Sequence, residues 1–391
     1  AGSAGAGTTI DERAAPALTV LHPIVFIPGA DGALGGTPPA VPPASYTIVP
    51  GIVSPDPAVV ETILRSDQLR TAHASAIADK VESGNYAGIS IDYRAVSPTL
   101  REQFTSFIET LSELLDERGR TLTLTLPMPT RAEGEFDTGA YDWEKLGASV
   151  DWIEMAGELD QELYFQNTEA ALEYVLDRVD KSKLLLTVTS MSVERGGDGL
   201  RAMPLESALA LASTAAVKTE TEIVAGSNVD LVAQNLAQSE GASGMLWDEA
   251  ARAVTFNYPG RGGKRTVWLA NQFSAAFRVE LAQRYGLAGV AVDNVALEDG
   301  AADVWAPIRE LSDTGSLVLS KPNTDRFAPQ WSAAAGTLSA TSGDAVTWTA
   351  PAEPGTYEVT LTVSDGVVRV AQKFSLEVVE AAAAEPAAEP E

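Results

Sequence analysis

Residues 86–94 read Tyr86-Ala87-Gly88-Ile89-Ser90-Ile91-Asp92-Tyr93-Arg94. Side chains alternate across a strand, so Ile89, Ile91 and Tyr93 share one face and Ser90, Asp92 and Arg94 the other. Helix-type spacing precedes this strand over 57–83, through Val60, Ile63, Leu64, Leu69, Ile77 and Val81. A second amphipathic run follows over 100–118, with Phe104, Phe107, Ile108, Leu111, Leu114 and Leu115 on one face and Gly119 where a C-terminal cap belongs. The strand at 121–127, TLTLTLP, then completes a strand-helix-strand unit. Such a unit makes a parallel pair, because the crossover helix returns the chain to the same end of the sheet.

The rhythm extends in both directions. Strands are expected at 18–27, 46–53, 151–156, 184–190 and 287–292, and helices at 142–150, 168–179, 205–217, 272–285 and 304–311. At least seven such units, with no glycine-rich phosphate turn after an early strand, predict a (β/α)8 barrel over 18–320 rather than a doubly wound sheet. Only two clear strands precede Tyr86, which leaves the first barrel strand to 8–13, to a partner chain, or absent. Residues 1–17 read as a flexible segment and 218–267 as an irregular insertion. Beyond Pro329 the composition changes to short alternating stretches with turns at Ser342-Gly343-Asp344, Pro354-Gly355 and Asp365-Gly366, predicting a β-sandwich over 326–380. Residues 381–391, AAAAEPAAEPE, have nothing to pack and read as a low-complexity tail.

Charge narrows the function classes. Lys and Arg number 27 against 54 Asp and Glu, a net charge of −27 that repels nucleic acid and anionic lipid. With no Cys and only His22 and His73, disulfides, thiolate nucleophiles and multi-histidine zinc sites are excluded. No cofactor and no metal are expected. No apolar run reaches the roughly 18–20 residues that span a bilayer. The small-residue start without Met points to export with loss of a leader. The stretch Pro259-Gly260-Arg261-Gly262-Gly263-Lys264-Arg265 lacks the first glycine and the Ser/Thr of a phosphate loop and reads as a basic turn.

The strand at 86–94, the helix after it and TLTLTLP resemble the fourth strand and next unit of family-18 glycoside hydrolases, the chitinase-like barrels. That family's D-G-x-D-x-D-x-E signature falls on Ala87, Gly88, Ser90, Asp92 and Arg94, of which Gly88 and Asp92 match. Asp151-Trp152-Ile153-Glu154-Met155-Ala156 is similar to its sixth strand, and Tyr285-Gly286-Leu287-Ala288-Gly289-Val290-Ala291 to its eighth. The resemblance implies a (β/α)8 barrel and, at position 94, a glutamic acid that protonates the glycosidic oxygen while the substrate's acetamido group attacks the anomeric carbon. Arginine stays protonated and cannot serve as that acid. It is also expected to hold Asp92 ionised. The resemblance further puts Gly157 where a supporting tyrosine stands and Asp293 where an aromatic floor is common. Trp331-Ser332-Ala333 and GTYEVTLTVSDG at 355–366 resemble bacterial immunoglobulin-like modules of the polycystic-kidney-disease type, which implies an extracellular setting.

The candidate pocket therefore comprises Ser90, Asp92, Arg94, Glu158, Asp293 and Asn294, with no catalytic residue assigned. The resulting expectation is an exported bacterial pseudoenzyme, without hydrolytic activity, that binds a polysaccharide or peptidoglycan-type glycan or serves as a scaffold at the cell surface. Two rivals stand beside it: a structural subunit with protein partners in a surface assembly, and a hydrolase using displaced carboxylates such as Glu158 and Asp293. His22 and His73 read as structural histidines.

Overall fold

In a closed parallel barrel each strand needs a hydrogen-bonded neighbour on both sides, and the structure finds all eight strands in one chain. The computed structural model describes residues 1–5, 9–37, 46–295 and 302–380. The chain divides into two units, Ala1–Met191 with Ala270–Leu319, and Ser192–Leu269 with Ser320–Glu391.

The first unit is the barrel. Its strands are β1 (Gly2–Gly5), β2 (Val20–Pro28), β3 (Gly51–Val53), β4 (Gly88–Asp92), β5 (Thr121–Leu126), β6 (Trp152–Met155), β7 (Leu184–Val188) and β8 (Gly289–Val292). All neighbouring pairs are parallel, and β1 closes the cylinder by pairing with β2 at Gly2↔Leu21 and with β8 at Gly2↔Val292. The expectation of a flexible 1–17 is thus corrected: Gly-Ser-Ala-Gly has no strand propensity of its own and is a strand because both neighbours offer backbone partners. Small residues are required there, since a Cβ on Gly2 would lie 2.3 Å from Val295 Cγ1. At the start of β4 a Cβ on Gly88 would lie 2.2 Å from Thr121 O, so only glycine lets β4 and β5 approach.

Helices wrap the outside: α1 (Pro57–Arg65), α2 (Asp67–Ser83), α3 (Arg101–Asp116), α4 (Trp143–Ser149), α5 (Tyr164–Leu176), α6 (Gln272–Tyr285) and α7 (Trp305–Thr314). Ser66 ends α1 and caps α2 through Leu69 N, while α6 opens with an Asn271/Ser274 capping box and stops at left-handed Gly286. The main core lies between the helices and the outer strand faces, where Ile89, Ile91, Leu122, Leu124, Ile153 and Leu186 meet Phe104, Phe107, Leu111 and Leu172. The inner faces are left to Ser90, Asp92, Thr123, Thr125, Glu154 and Thr187. That division points the polar side chains of the strands into the barrel.

The second unit holds a five-stranded antiparallel sheet, ordered Gly199–Met203, Ser192–Gly196, Gly263–Leu269, Ala253–Gly260, Met245–Asp248. It also holds two four-stranded sheets that mix strands from both of its segments. Asn228–Ala233 pairs with Ala345–Thr349, and Ile223–Val224 with Arg369–Val379. Two expectations are corrected. The insertion begins at Ser192 rather than 218, and the sandwich over 326–380 is not self-contained, because it takes strands from the insertion. The helix expected over 205–217 ends at Ala212: Ser213 and Thr214 turn their hydroxyls back to Ala210 O and Leu211 O, and Ala215–Lys218 becomes a strand. The tail at 381–391 lies outside the described residues, as does 296–301 within the acidic loop after Asp293.

Candidate active site

The site begins where β4 ends. Tyr93 points outward into the core, and its hydroxyl lies 2.8 Å from His73 Nε2. His73 Nδ1 lies 2.8 Å from Gly32 O, a pure acceptor, so Nδ1 donates and Nε2 accepts the Tyr93 O–H. This is a neutral, fully used imidazole, and burial pushes its pKa down. From the other side Tyr141 donates its hydroxyl to Tyr93 O at 2.6 Å. Both fastenings fix the backbone that carries Asp92 and Arg94.

Those two side chains turn inward and toward the C-terminal ends of the strands. Arg94 Nε donates to Asp92 Oδ1 at 2.6 Å, with the Arg94 side chain 56% exposed and that of Asp92 16% exposed. Burial raises the Asp92 pKa, and the arginine offsets only part of that rise. The expectation that Arg94 would simply hold Asp92 down is corrected here: at this mouth desolvation outweighs one charge-assisted bond.

Asp293, just past β8, is the second carboxyl. Thr189, Ser190 N–H and Asn294 N–H donate to it, and still burial holds its pKa above the ordinary value. Deeper in the barrel, Glu154 of β6 accepts from Thr125 Oγ1 at 3.2 Å and lies 3.3 Å from His22 Nε2. Burial alone would raise the Glu154 pKa, but the charge and hydrogen bond of His22 bring it below the ordinary glutamate value. Glu154 Oε1 has no hydrogen bond of good geometry beyond the His22 approach. The field of Arg94 thus reaches three carboxyls, Asp92 of β4, Glu154 of β6 and Asp293 just past β8.

Of the six residues singled out in the sequence, Asp92, Arg94 and Asp293 come together, and Asn294 supports Asp293 through its backbone. Ser90 faces inward on β4 at 3% exposure, one step below Asp92. Glu158 is employed elsewhere: its oxygens accept from Asp160 N at 3.0 Å and Asn167 Nδ2 at 2.7 Å, tying the loop to α5. Gly157 faces α5 rather than the mouth, since a Cβ there would lie 2.9 Å from the Tyr164 hydroxyl. Sequence reasoning missed Glu154, Tyr141 and Thr189. Parity held the signal for Glu154, which shares the inward face of its strand with Trp152. Among the described residues no group of three or more His, Asp and Glu is placed to hold a metal ion, and no helix is long and apolar enough to cross a membrane.

Comparison with known proteins agrees with the barrel fold. Residues 61–295 match the family described as glycosyl hydrolases family 18. Among curated proteins of Bacillus subtilis (strain 168), the chain is 22% identical over 229 residues to "Uncharacterized glycosylase YvbX", covering 58% of this chain and 61% of the relative. It is 27% identical over 138 residues to "Putative sporulation-specific glycosylase YdhD", covering 33% of each. The chain thus spans less than two thirds of the length of either curated relative. Among solved structures, a chitinase from Chromobacterium violaceum ATCC 12472 superposes with a TM-score of 0.60 at 19% identity, over 79% of this chain and 98% of that one. The spore cortex-lytic enzyme SleL of Bacillus megaterium QM B1551 gives 0.59 at 16% identity, over 82% and 74%. The superpositions speak for the barrel fold. The expectation of a protein without enzymatic activity is overturned by these comparisons, because the matched family and the curated relatives are hydrolases and glycosylases.

Proposed function

The chain belongs to glycosyl hydrolase family 18, and from that premise we propose that its barrel hydrolyses a β-linked amino-sugar polymer of the chitin or peptidoglycan type, with the Asp92–Asp293 carboxyl pair supplying the acid. One arrangement carries this reading: at the C-terminal mouth Arg94 Nε holds the largely buried Asp92 carboxyl at 2.6 Å, Asp293 stands just past β8 within the field of the same guanidinium, and burial pushes both carboxyls up. A general acid has to keep its proton near the working pH, and desolvation is the means by which an aspartate does so.

Arg94 stands at the family's acid position and takes a different task. Its guanidinium, permanently charged, orients Asp92 and offsets the carboxylate left behind after proton transfer. In the forward step the proton leaves the carboxyl pair for the glycosidic oxygen as the bond from that oxygen to the anomeric carbon breaks. The acetamido oxygen of the same sugar forms the new bond to that carbon. Water then opens the resulting ring and returns one proton to the carboxylate, so protons and bonds balance. Both carboxyls lie in the field of one cation, so the acid is assigned to the two together, and the single variants Asp92→Asn and Asp293→Asn assign it to one.

The immunoglobulin-like character of the C-terminal strands and a location outside the cell or at its surface belong to the same proposal, since such polymers lie outside the cytoplasm. The test is cleavage of chito-oligosaccharides and peptidoglycan fragments by wild type, Asp92→Asn and Asp293→Asn. Cleavage by wild type with about 10²–10⁴-fold loss in at least one variant supports the reading. Equal rates in all three proteins reject the carboxyl pair.

A further inference from the structure

In the second unit, the turns between Ser192–Gly196 and Gly199–Met203 and between Ala253–Gly260 and Gly263–Leu269 lie side by side, because the strands Ser192–Gly196 and Gly263–Leu269 pair through Arg195↔Thr266. The turns touch: a Cβ on Gly197 would lie 3.3 Å from Gly262 O. Five cations collect at this end of the sheet, Arg195, Arg201, Arg261, Lys264 and Arg265, against two carboxylates, Glu194 and Asp198. In a chain of net charge −27 this is a local reversal of sign.

The reversal is built into the sheet. Glu194, fully buried, accepts the Tyr258 hydroxyl on one oxygen. Its other oxygen takes Arg201 Nη2 at 3.0 Å and Arg265 Nη1 at 3.1 Å. Arg265 then reaches Asp198 with Nη2 at 2.9 Å. Gly196 and Gly260 clear the path of that side chain, since a Cβ on either would lie within 3.0 Å of its atoms. The buried glutamate therefore anchors two arginines, and together with Asp198 it balances their charge, which leaves Arg261 and Lys264 as the positive excess at the tip. Arg195 stacks over Trp268 with its guanidinium carbon 5.0 Å from the ring centroid. Arg261 and Lys264 stand exposed on the second turn, and among the described residues neither has a recorded ion pair or hydrogen bond from its side chain.

We propose that this paired turn is a landing surface for a polyanionic glycan, one whose sugars or attached peptides carry carboxylates. The inference rests on the glycan-polymer reading above and narrows its substrate class, since chitin carries no such charge. Arg201 spends Nε and Nη2 on Glu194, and Arg265 spends Nη1 on Glu194 and Nη2 on Asp198, so these two brace the turns, and charge-assisted contact with carboxylates falls to the exposed Arg261 and Lys264. The two free cations supply long-range attraction on a surface that otherwise repels the polymer.

The test is co-sedimentation of the full chain with purified peptidoglycan sacculi stripped of teichoic acid, with the same sacculi after amidation of their carboxyls, and with chitin beads. Wild type is expected to bind untreated sacculi best. Amidation, or the double variant Arg261→Glu with Lys264→Glu, is expected to weaken binding roughly tenfold, and 0.5 M salt to do the same. Cleavage of a short neutral chito-oligosaccharide by the double variant should match wild type, so that loss of binding is read apart from loss of catalysis. Charge-dependent binding without any cleavage would sink the hydrolase reading and leave this one standing. Equal binding to untreated and amidated sacculi, or no effect of the double substitution, would overturn the landing surface.

Discussion

Arg94 Nε lies 2.6 Å from Asp92 Oδ1, and yet the Asp92 carboxyl is held above its ordinary pKa. An exposed aspartate in such a pair would move the other way. The difference is the position of the pair: Asp92 is sunk at the barrel mouth with Glu154 below it, while the arginine reaches into solvent and spreads its field over Asp293 as well. A cation two residues beyond Asp92 therefore leaves protonatable carboxyls in the site.

The pH profile follows from that arrangement. A general acid works while protonated, so activity should be present below the apparent pKa of the carboxyl pair and fall above it. Burial moves this fall to higher pH than an ordinary aspartate would give. Arg94→Met removes a charge that lowers both carboxyls, so the alkaline limb should move further up. A pH-rate series on one soluble oligosaccharide checks this, and an unmoved limb would count against coupling through Arg94.

Glu154 and His22 form the buried pair beneath the site. Glu154→Ala would leave His22 facing an empty, low-dielectric space, and a loss of about 3–5 kcal/mol is expected in urea unfolding at pH 7. Because the folded-state pKa of Glu154 is depressed, its contribution is present above the unfolded glutamate value and is lost as pH falls through the folded one. Wild type should thus lose stability faster than Glu154→Gln on acidification. Parallel slopes would deny the pair this role.

His73 serves Tyr93 and Gly32 at once. His73→Ala leaves the buried Tyr93 hydroxyl and Gly32 carbonyl unpaired and opens a cavity, with an expected cost of about 3–5 kcal/mol. Thermal unfolding of the variant measures this directly, and a change below about 1 kcal/mol would show that Tyr93 finds another partner.

The C-terminal strands make a separate prediction. Trp331 and Trp348 are buried in sheets that also contain strands from 215–233. A fragment of residues 320–380 alone should therefore show disordered-chain amide dispersion in NMR. A well-dispersed spectrum would restore the independent module.

Sequence reasoning reached the barrel through hydrophobic period, Asp92 and Arg94 through strand parity, and Asp293 through its place at the end of a later strand. It failed where tertiary context overrides local preference. Gly2–Gly5 has nothing in its composition that marks a strand, because its pairing comes from Leu21 and Val292, far along the chain. The shared sheets of the second unit were invisible for the same reason: Val229↔Trp348 is a contact between segments that each read as complete. Glu158 enters from the sequence only as a displaced carboxylate at a strand end, whereas the carboxylate within the field of Arg94 is Glu154, inside the strand, where an ionisable side chain looks improbable until His22 is seen opposite it.

The central claim is hydrolysis by the carboxyl pair, and the most direct measurement is single-turnover cleavage of chito-oligosaccharides and peptidoglycan fragments by wild type beside the double variant Asp92→Asn with Asp293→Asn. The account predicts reducing-end product from wild type and none above background from the variant. Absence of product from wild type on every substrate, or the same rate from both proteins, would contradict it.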